Sequence, residues 1–228
     1  MNEFFSRSEA LLGGEAMKRL ADARVLVVGV GGVGSWCAEA LMRTGVGHIT
    51  LVDDDVVAES NVNRQCPATV KTIGRPKVEA MAERLKEINP ACEVEARNSR
   101  FFSAASISGF SLVVDAIDSV DCKAELILGA TEAGVPLVSS MGAALRLDPT
   151  KVKVTRFEKV EGDGLARALR QRFKKLERFP KAKVSCVWST ETPVGRSAEK
   201  GSLMPVTATF GMCLASEAIR ILTKGEMR

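Results

Sequence analysis

Apolar positions along the chain fall into two rhythms. Continuous runs rich in β-branched residues occupy 24–29 (RVLVVG), 48–53 (HITLVD) and 111–117 (SLVVDAI), and such runs suit strands buried on both faces of a parallel sheet. Between them the spacing changes to that of amphipathic helices, over Ser8–Leu20 (Leu11, Leu12, Met17, Leu20), Val33–Thr44, Lys77–Ile88 (Val78, Met81, Leu85, Ile88) and Cys122–Ala133. Asn89-Pro90 and Gly134 supply stops. Glu93–Arg97 reads as an edge strand and Val135–Ser139 as a short one. Strands alternating with helices predict an α/β, Rossmann-like doubly wound fold with a mainly parallel sheet. Beyond Pro149 the rhythm is different. Lys151–Phe157 alternates polar and apolar like a half-exposed strand; Leu165, Leu169, Phe173 and Leu176 mark a helix stripe; Val184–Ser189 reads as a strand. Thr190–Leu203 is expected to be a mobile loop, and Pro205–Leu222 an apolar helix with Gly225 just past it. Residues 1–150 therefore predict a nucleotide-binding core and 151–228 a C-terminal extension of strands and helices, together one domain.

The first strand runs into Gly29, Gly31, Gly32 and Gly34, followed by Ser35 and a helix. Glycines at such a turn let the backbone approach a phosphate, and the helix N-terminus offers unpaired N–H groups. Asp53 ends the second strand 19 residues after Gly34, where an acid accepts hydrogen bonds from a ribose. The residues that follow separate a triphosphate from a dinucleotide. Asp54, Asp55, Ser60, Asn61, Asn63, Arg64 and Gln65 come in quick succession, then Gly74-Arg75-Pro76-Lys77 opens a helix. Asp118 closes the fourth predicted strand at the same sheet edge. Cations here would offset charge on a departing pyrophosphate, and a carboxylate could hold Mg²⁺.

Charge adds one further feature. The 228-residue chain carries a net +4, yet Lys151–Lys183 alone holds 12 Lys/Arg against 4 Asp/Glu, leaving the remainder at −4. A basic segment on a slightly acidic body points to a polyanionic partner. Arg167, Arg170 and Lys174 fall on one predicted helical stripe, opposite much of the leucine face. The six cysteines contain no C-x-x-C pair, which argues against a zinc knuckle or a dithiol centre. His48 is the single histidine, so catalysis by a histidine base is disfavoured. Cys186, Trp36 and Trp188 read as packing residues, and Cys66 has a cationic neighbour in Arg64 but no assigned role. No apolar run is long enough to span a bilayer and no signal segment is evident, so a cytoplasmic protein without membrane contact is expected.

The ordered motifs G-x-G-G-x-G-S, D-x-D-x-V-x-x-S-N-x-N-R-Q, G-x-P-K and D-A-I-D-S resemble the ubiquitin-activating-enzyme-like superfamily over about Phe5–Phe157 and Val184–Leu222. The resemblance implies ATP-dependent adenylation of a carboxylate. Arg64, Lys77, Asp118 and Arg7 would be catalytic, and Asp118 would bind Mg²⁺. Gly29, Gly31, Gly32, Gly34, Asp53, Asp55, Asn61, Arg64 and Lys77 would bind ATP. Arg7 would act across a homodimer. Five stretches, at 32–36, 61–65, 115–120, 185–191 and 205–211, look most like the branch that dehydrates threonylcarbamoyladenosine in tRNA. That likeness implies ring closure by an internal nitrogen, which needs no cysteine or histidine because proximity drives it. It also implies tRNA as partner, with sulfur-transfer proteins as possible accessories.

The competing reading within the superfamily is an adenylyltransferase for the C-terminal glycine of a sulfur-carrier protein. Many such relatives carry two C-x-x-C pairs, and this chain has none. An NAD-dependent oxidoreductase has no evident use for Arg64 and Lys77. A noncatalytic regulator has no need to keep them with Asp118. Arg64 and Lys77 read alone as solvated charges, and Asp118 read alone as a helix cap, are the plain alternatives.

Overall fold

The computed structural model describes residues 3–100, 107–195 and 201–224. Seven strands form one sheet: β1 (Arg24–Val28), β2 (His48–Asp53), β3 (Glu93–Asn98), β4 (Leu112–Asp115), β5 (Leu137–Ser140), β6 (Val152–Arg156) and β7 (Ser185–Ser189). Their order is β3-β2-β1-β4-β5-β7-β6, and every pairing is parallel except β6 with β7. Among the described residues seven α-helices accompany them: α1 (Ser6–Leu12), α2 (Gly14–Asp22), α3 (Gly34–Thr44), α4 (Lys77–Ile88), α5 (Val120–Glu132), α6 (Gly164–Leu176) and α7 (Met204–Leu222). None of the described helices is long and apolar enough to cross a membrane. This is the doubly wound α/β fold that the alternating rhythm predicts.

The apolar runs are continuous because the central strands are covered twice. Val25, Val27, Ile49, Leu51 and Val114 face a core built with α3, α4 and α7, while Leu26, Val28, Val52 and Val113 face one built with α5 and α6. At about 25 cal/mol per Å² of apolar area, burial on both faces makes these strands the most costly places for a polar substitution. Strand order reverses at β1, which has β2 on one side and β4 on the other. In open α/β sheets a crevice forms there, beyond the carboxyl ends of the strands, and ligands bind in it.

Three differences from the expected elements have local causes. The first helix breaks into α1 and α2 at Gly13, whose φ of +82° is open to glycine at little cost. β4 stops at Asp115, two residues before the end of its apolar run, because the Asp115 carboxylate turns to accept from the Ile117 amide at 3.2 Å. Asp118 therefore lies in the β4–α5 connection and does not end the strand. Within 190–203 the described residues carry no helix or strand and are tied down: Val194 N–H donates to Leu145 O, the Leu145 amide donates to Gly201 O, and Asn63 Nδ2 donates to Ser202 O. The remainder of that expected mobile loop lies outside the described residues, as does Gly225.

Candidate active site

The glycine turn between β1 and α3 divides its glycines by job. A Cβ on Gly29, whose φ is +92°, would meet Ala116 O at 2.6 Å, and one on Gly34 would meet Gly29 O at 1.9 Å. These two glycines let main chain pack against main chain. Gly31 and Gly32 instead line the mouth of the crevice. A Cβ on Gly31 would find only Gln65 Nε2, at 3.9 Å, while one on Gly32 would meet Arg64 Cγ at 3.3 Å. The open backbone is thus at Gly31, with the stem of Arg64 laid over Gly32.

Asp53 fixes that turn from the end of β2. One carboxylate oxygen accepts from the Val30 amide at 2.6 Å and the other from the Asp55 amide at 2.9 Å. Burial pushes the Asp53 carboxyl upward, against the pull of those amides and of the Lys77 charge. Each oxygen keeps a lone pair for an outside hydroxyl. Asn61 is buried and accepts from the Ala58 amide at 3.0 Å, so it shapes the loop from within.

Two cations enter from the stretch that follows. Lys77 opens α4 with its side chain almost wholly buried, and its Nζ lies 2.6 Å from the exposed Asp55 carboxylate. Arg64 folds back on its own loop, where Nη1 donates to Ser60 O at 2.7 Å and Asn63 Oδ1 at 2.8 Å. Both sets of partners are exposed and exchangeable. The Gln65 side-chain oxygen beside them is buried without a hydrogen-bond partner. Asp118 is exposed beyond β4 and takes no hydrogen bond or ion pair among the described residues. Helix capping does not explain it either, since the N-cap position of α5 is Ser119. Of the expected catalytic set, Arg7 stands apart. It is exposed on α1, at the opposite edge of the sheet, where neighbouring Phe5 lies against Gly45 before β2.

The residue pattern alone does not reveal the support beneath Asp118. Lys123 is fully buried, and its Nζ donates at 2.9 Å to both Asp115 Oδ1 and Ile117 O, while Ser139 Oγ donates to Asp115 Oδ2 at 2.6 Å. This buried pair pins the 115–118 connection. Its one sequence signal is a lysine three residues into a helix following two aspartates, a pattern that reads more simply as surface charge.

A second hidden cluster stands behind the Arg64 loop. Glu39 of α3 is buried and accepts from Arg84 Nε at 2.5 Å, Arg43 Nε at 2.9 Å and the Cys66 thiol at 2.8 Å. Burial alone would raise the Glu39 carboxyl, but these donors hold it down to about 2. Burial and the Glu39 charge push the Cys66 thiol up to about 12, so it is a donor and no nucleophile. Cys186 is buried in the second core and is also pushed up, which leaves it a packing residue. Trp188 packs there too, with its indole N–H on Thr155 Oγ1 at 2.8 Å. Glu39→Gln is expected to cost about 1–3 kcal/mol, seen as a Tm lowered by roughly 3–8 °C. The unfolded chain protonates Glu39 near the ordinary 4.5 and the folded chain near 2, so its contribution is full above 4.5 and fades as pH falls toward 2. Chemical denaturation at pH 7 and pH 3 checks this: the gap between parent and variant should narrow at pH 3.

The basic segment is divided in the structure. Arg170 is spent internally, donating to Phe157 O and Val160 O and lying over the Phe157 ring at 5.0 Å. Arg172 pairs with Asp121, and Arg178 with Glu125 and Glu132. Arg167, Lys174 and Lys175 of α6 are exposed. The expected three-residue cationic stripe therefore loses its middle member to the fold.

Comparison with known proteins matches the ThiF family model to residues 5–228. The chain belongs to the ThiF family. This ThiF-family chain is 39% identical to the tRNA threonylcarbamoyladenosine dehydratase of Escherichia coli strain K12, over 95% of this chain and 92% of that protein. It is 41% identical to the protein of that name from Bacillus subtilis strain 168, over 83% and 76% of the two chains. The crystal structure of the E. coli dehydratase in complex with ATP superposes with a TM-score of 0.90 at 42% identity, covering 97% of this chain and 94% of that one. Such agreement over nearly the whole length makes this ThiF-family chain an ATP-dependent enzyme.

Proposed function

We propose that the chain dehydrates threonylcarbamoyladenosine in tRNA, using ATP to activate the side-chain carboxylate. The observation that carries this is the convergence of an open backbone at Gly31, two exchangeably held cations and, among the described residues, an unpartnered Asp118 at the strand-reversal crevice. In this reading Gly31 and Gly32 face the phosphates, and Asp53 receives ribose hydroxyls on its remaining lone pairs. Gly29 and Gly34 shape the turn, and Asn61 the loop. Arg64 and Lys77 leave Ser60, Asn63 and Asp55 for phosphate oxygens. Asp118 has the donor chemistry to hold Mg²⁺, which would neutralise charge between the phosphates.

The substrate carboxylate oxygen bonds to the α-phosphorus of ATP as the bond to pyrophosphate breaks. Arg64 and Lys77 neutralise the charge that departs. A nitrogen of the same substrate then attacks the acyl carbon and AMP leaves, so one water is lost overall. Holding reactants together suffices for this second step. The inert thiols of Cys66 and Cys186 agree with a route lacking a covalent enzyme intermediate.

Arg167, Lys174 and Lys175, with the exposed cations of β6, are the proposed tRNA contacts. Arg7 serves the site of a partner copy, which makes the working unit a homodimer. The cytoplasm, which holds tRNA and ATP together, is the proposed working compartment.

The test is AMP formation from ATP–Mg²⁺ with tRNA that does or does not bear threonylcarbamoyladenosine. AMP and pyrophosphate are expected with the modified tRNA alone, beside a nucleoside lighter by one water. Pyrophosphate exchange stimulated by a Gly-Gly-ending carrier protein, with nothing from tRNA, would overturn the reading.

A further inference from the structure

Two adjacent side chains of α3 grip the peptide that carries Arg64. The Trp36 indole Nε1 donates to the Arg64 carbonyl at 2.9 Å. The buried Ser35 hydroxyl accepts from the Cys66 amide at 3.1 Å and donates to Gly31 O at 2.6 Å. The Arg64 main chain is thereby referenced to the glycine turn on its own side of the crevice. Its side chain has no comparable hold, since the guanidinium rests on Ser60 O and Asn63 Oδ1 of the same exposed loop. A cation that must meet developing charge works best when its backbone is already placed and only its tip has to move.

We propose that Trp36 is a positioning residue for Arg64, acting through its indole N–H to set where the guanidinium falls relative to Gly31 and Gly32. The proposal rests on reading Arg64 as the cation for the leaving pyrophosphate. Trp36 also has a packing duty. A Cβ on Gly211 of α7 would meet Trp36 Cβ at 2.8 Å, so the residue stands where α3 and α7 cross closely. The two duties separate chemically, because packing uses the ring and positioning uses the N–H.

Trp36→Phe keeps an aromatic ring and removes the donor. With saturating modified tRNA, kcat for AMP formation is expected to fall about tenfold, with KM for ATP within about twofold of the parent. Incorporation of benzothienylalanine at position 36, which has the indole shape without the N–H, should reproduce the loss, and it stands in if Trp36→Phe folds poorly. In an Arg64→Ala background, which leaves no cation to place, Trp36→Phe should cost less than about twofold further, since residues acting through one another are not additive. Parental kcat in both position-36 variants overturns the proposal. So does an undiminished tenfold loss in the Arg64→Ala background. Failure of the underlying reading looks different: Arg64→Ala itself would then retain turnover.

Discussion

Arg64→Ala should lower kcat for AMP formation by about 10²–10³-fold, the usual cost of deleting one group that stabilises charge in a transition state. The fold should be untouched. The guanidinium bonds to Ser60 O and Asn63 Oδ1 on the surface of a single loop, whereas the Arg64 carbonyl and the Cys66 amide, which anchor that loop to α3, belong to the main chain and survive the substitution. The expected signature is therefore a lost rate with a Tm within about 1 °C of the parent, as for a surface change. Removing the side chain also bares Gly32, against which the Arg64 stem lies. ATP affinity should drop less than kcat does, because the ground-state triphosphate still has Lys77. Single-turnover measurement with pre-bound ATP separates the two effects. Retention of more than a tenth of parental kcat would remove Arg64 from the catalytic set.

That prediction uses residues legible in the sequence, and the reason is physical. Strands covered on both faces leave unbroken apolar runs, and a turn that must admit a phosphate leaves glycines, so β1, β2 and the turn at Gly29–Gly34 could be read directly. What stayed hidden was side-chain destination. Lys123 and Arg170 look like helix-surface charges in a list of residues, yet one is sealed against Asp115 and the other lies on Phe157 and the carbonyls near it. Glu39 is an acid midway along α3 whose partners, Arg84 and Cys66, come from distant segments. Pairing across the fold has no periodicity to betray it. The Gly13 break was masked by the opposite effect: Leu11, Leu12, Met17 and Leu20 keep a helical spacing through it, although the backbone turns. Asp118 lies beyond β4 in the connection to α5, outside the strand that the apolar run suggests, because Ile117 is apolar for packing against α5's core and not for strand pairing.

Arg7→Ala should cost about as much as Arg64→Ala, roughly 10²–10³-fold in kcat, and the loss should be repairable by a second chain. The geometry leaves no role for Arg7 at its own crevice. Phe5 packs against Gly45 at the amino end of β2, and the six residues of that strand span about 20 Å before the carboxyl end where Asp53 stands. Arg7 is exposed there and has no hydrogen bond or ion pair among the described residues, so its removal should not lower Tm. A homodimer with two-fold symmetry would bring the α1 of one copy to the crevice of the other, completing both sites at once. Co-expressing Arg7→Ala with Arg64→Ala tests this. In a mixed dimer, the Arg7→Ala chain keeps its own Arg64 and receives Arg7 from its partner, so one site of two is whole. Random pairing should return about a quarter of parental activity from two inactive chains. Separately purified and unmixed variants should stay inactive. A mixture that forms dimers by sedimentation but recovers nothing would show that Arg7 does not act across the interface, and the crevice would then rely on Arg64 and Lys77 for its positive charge.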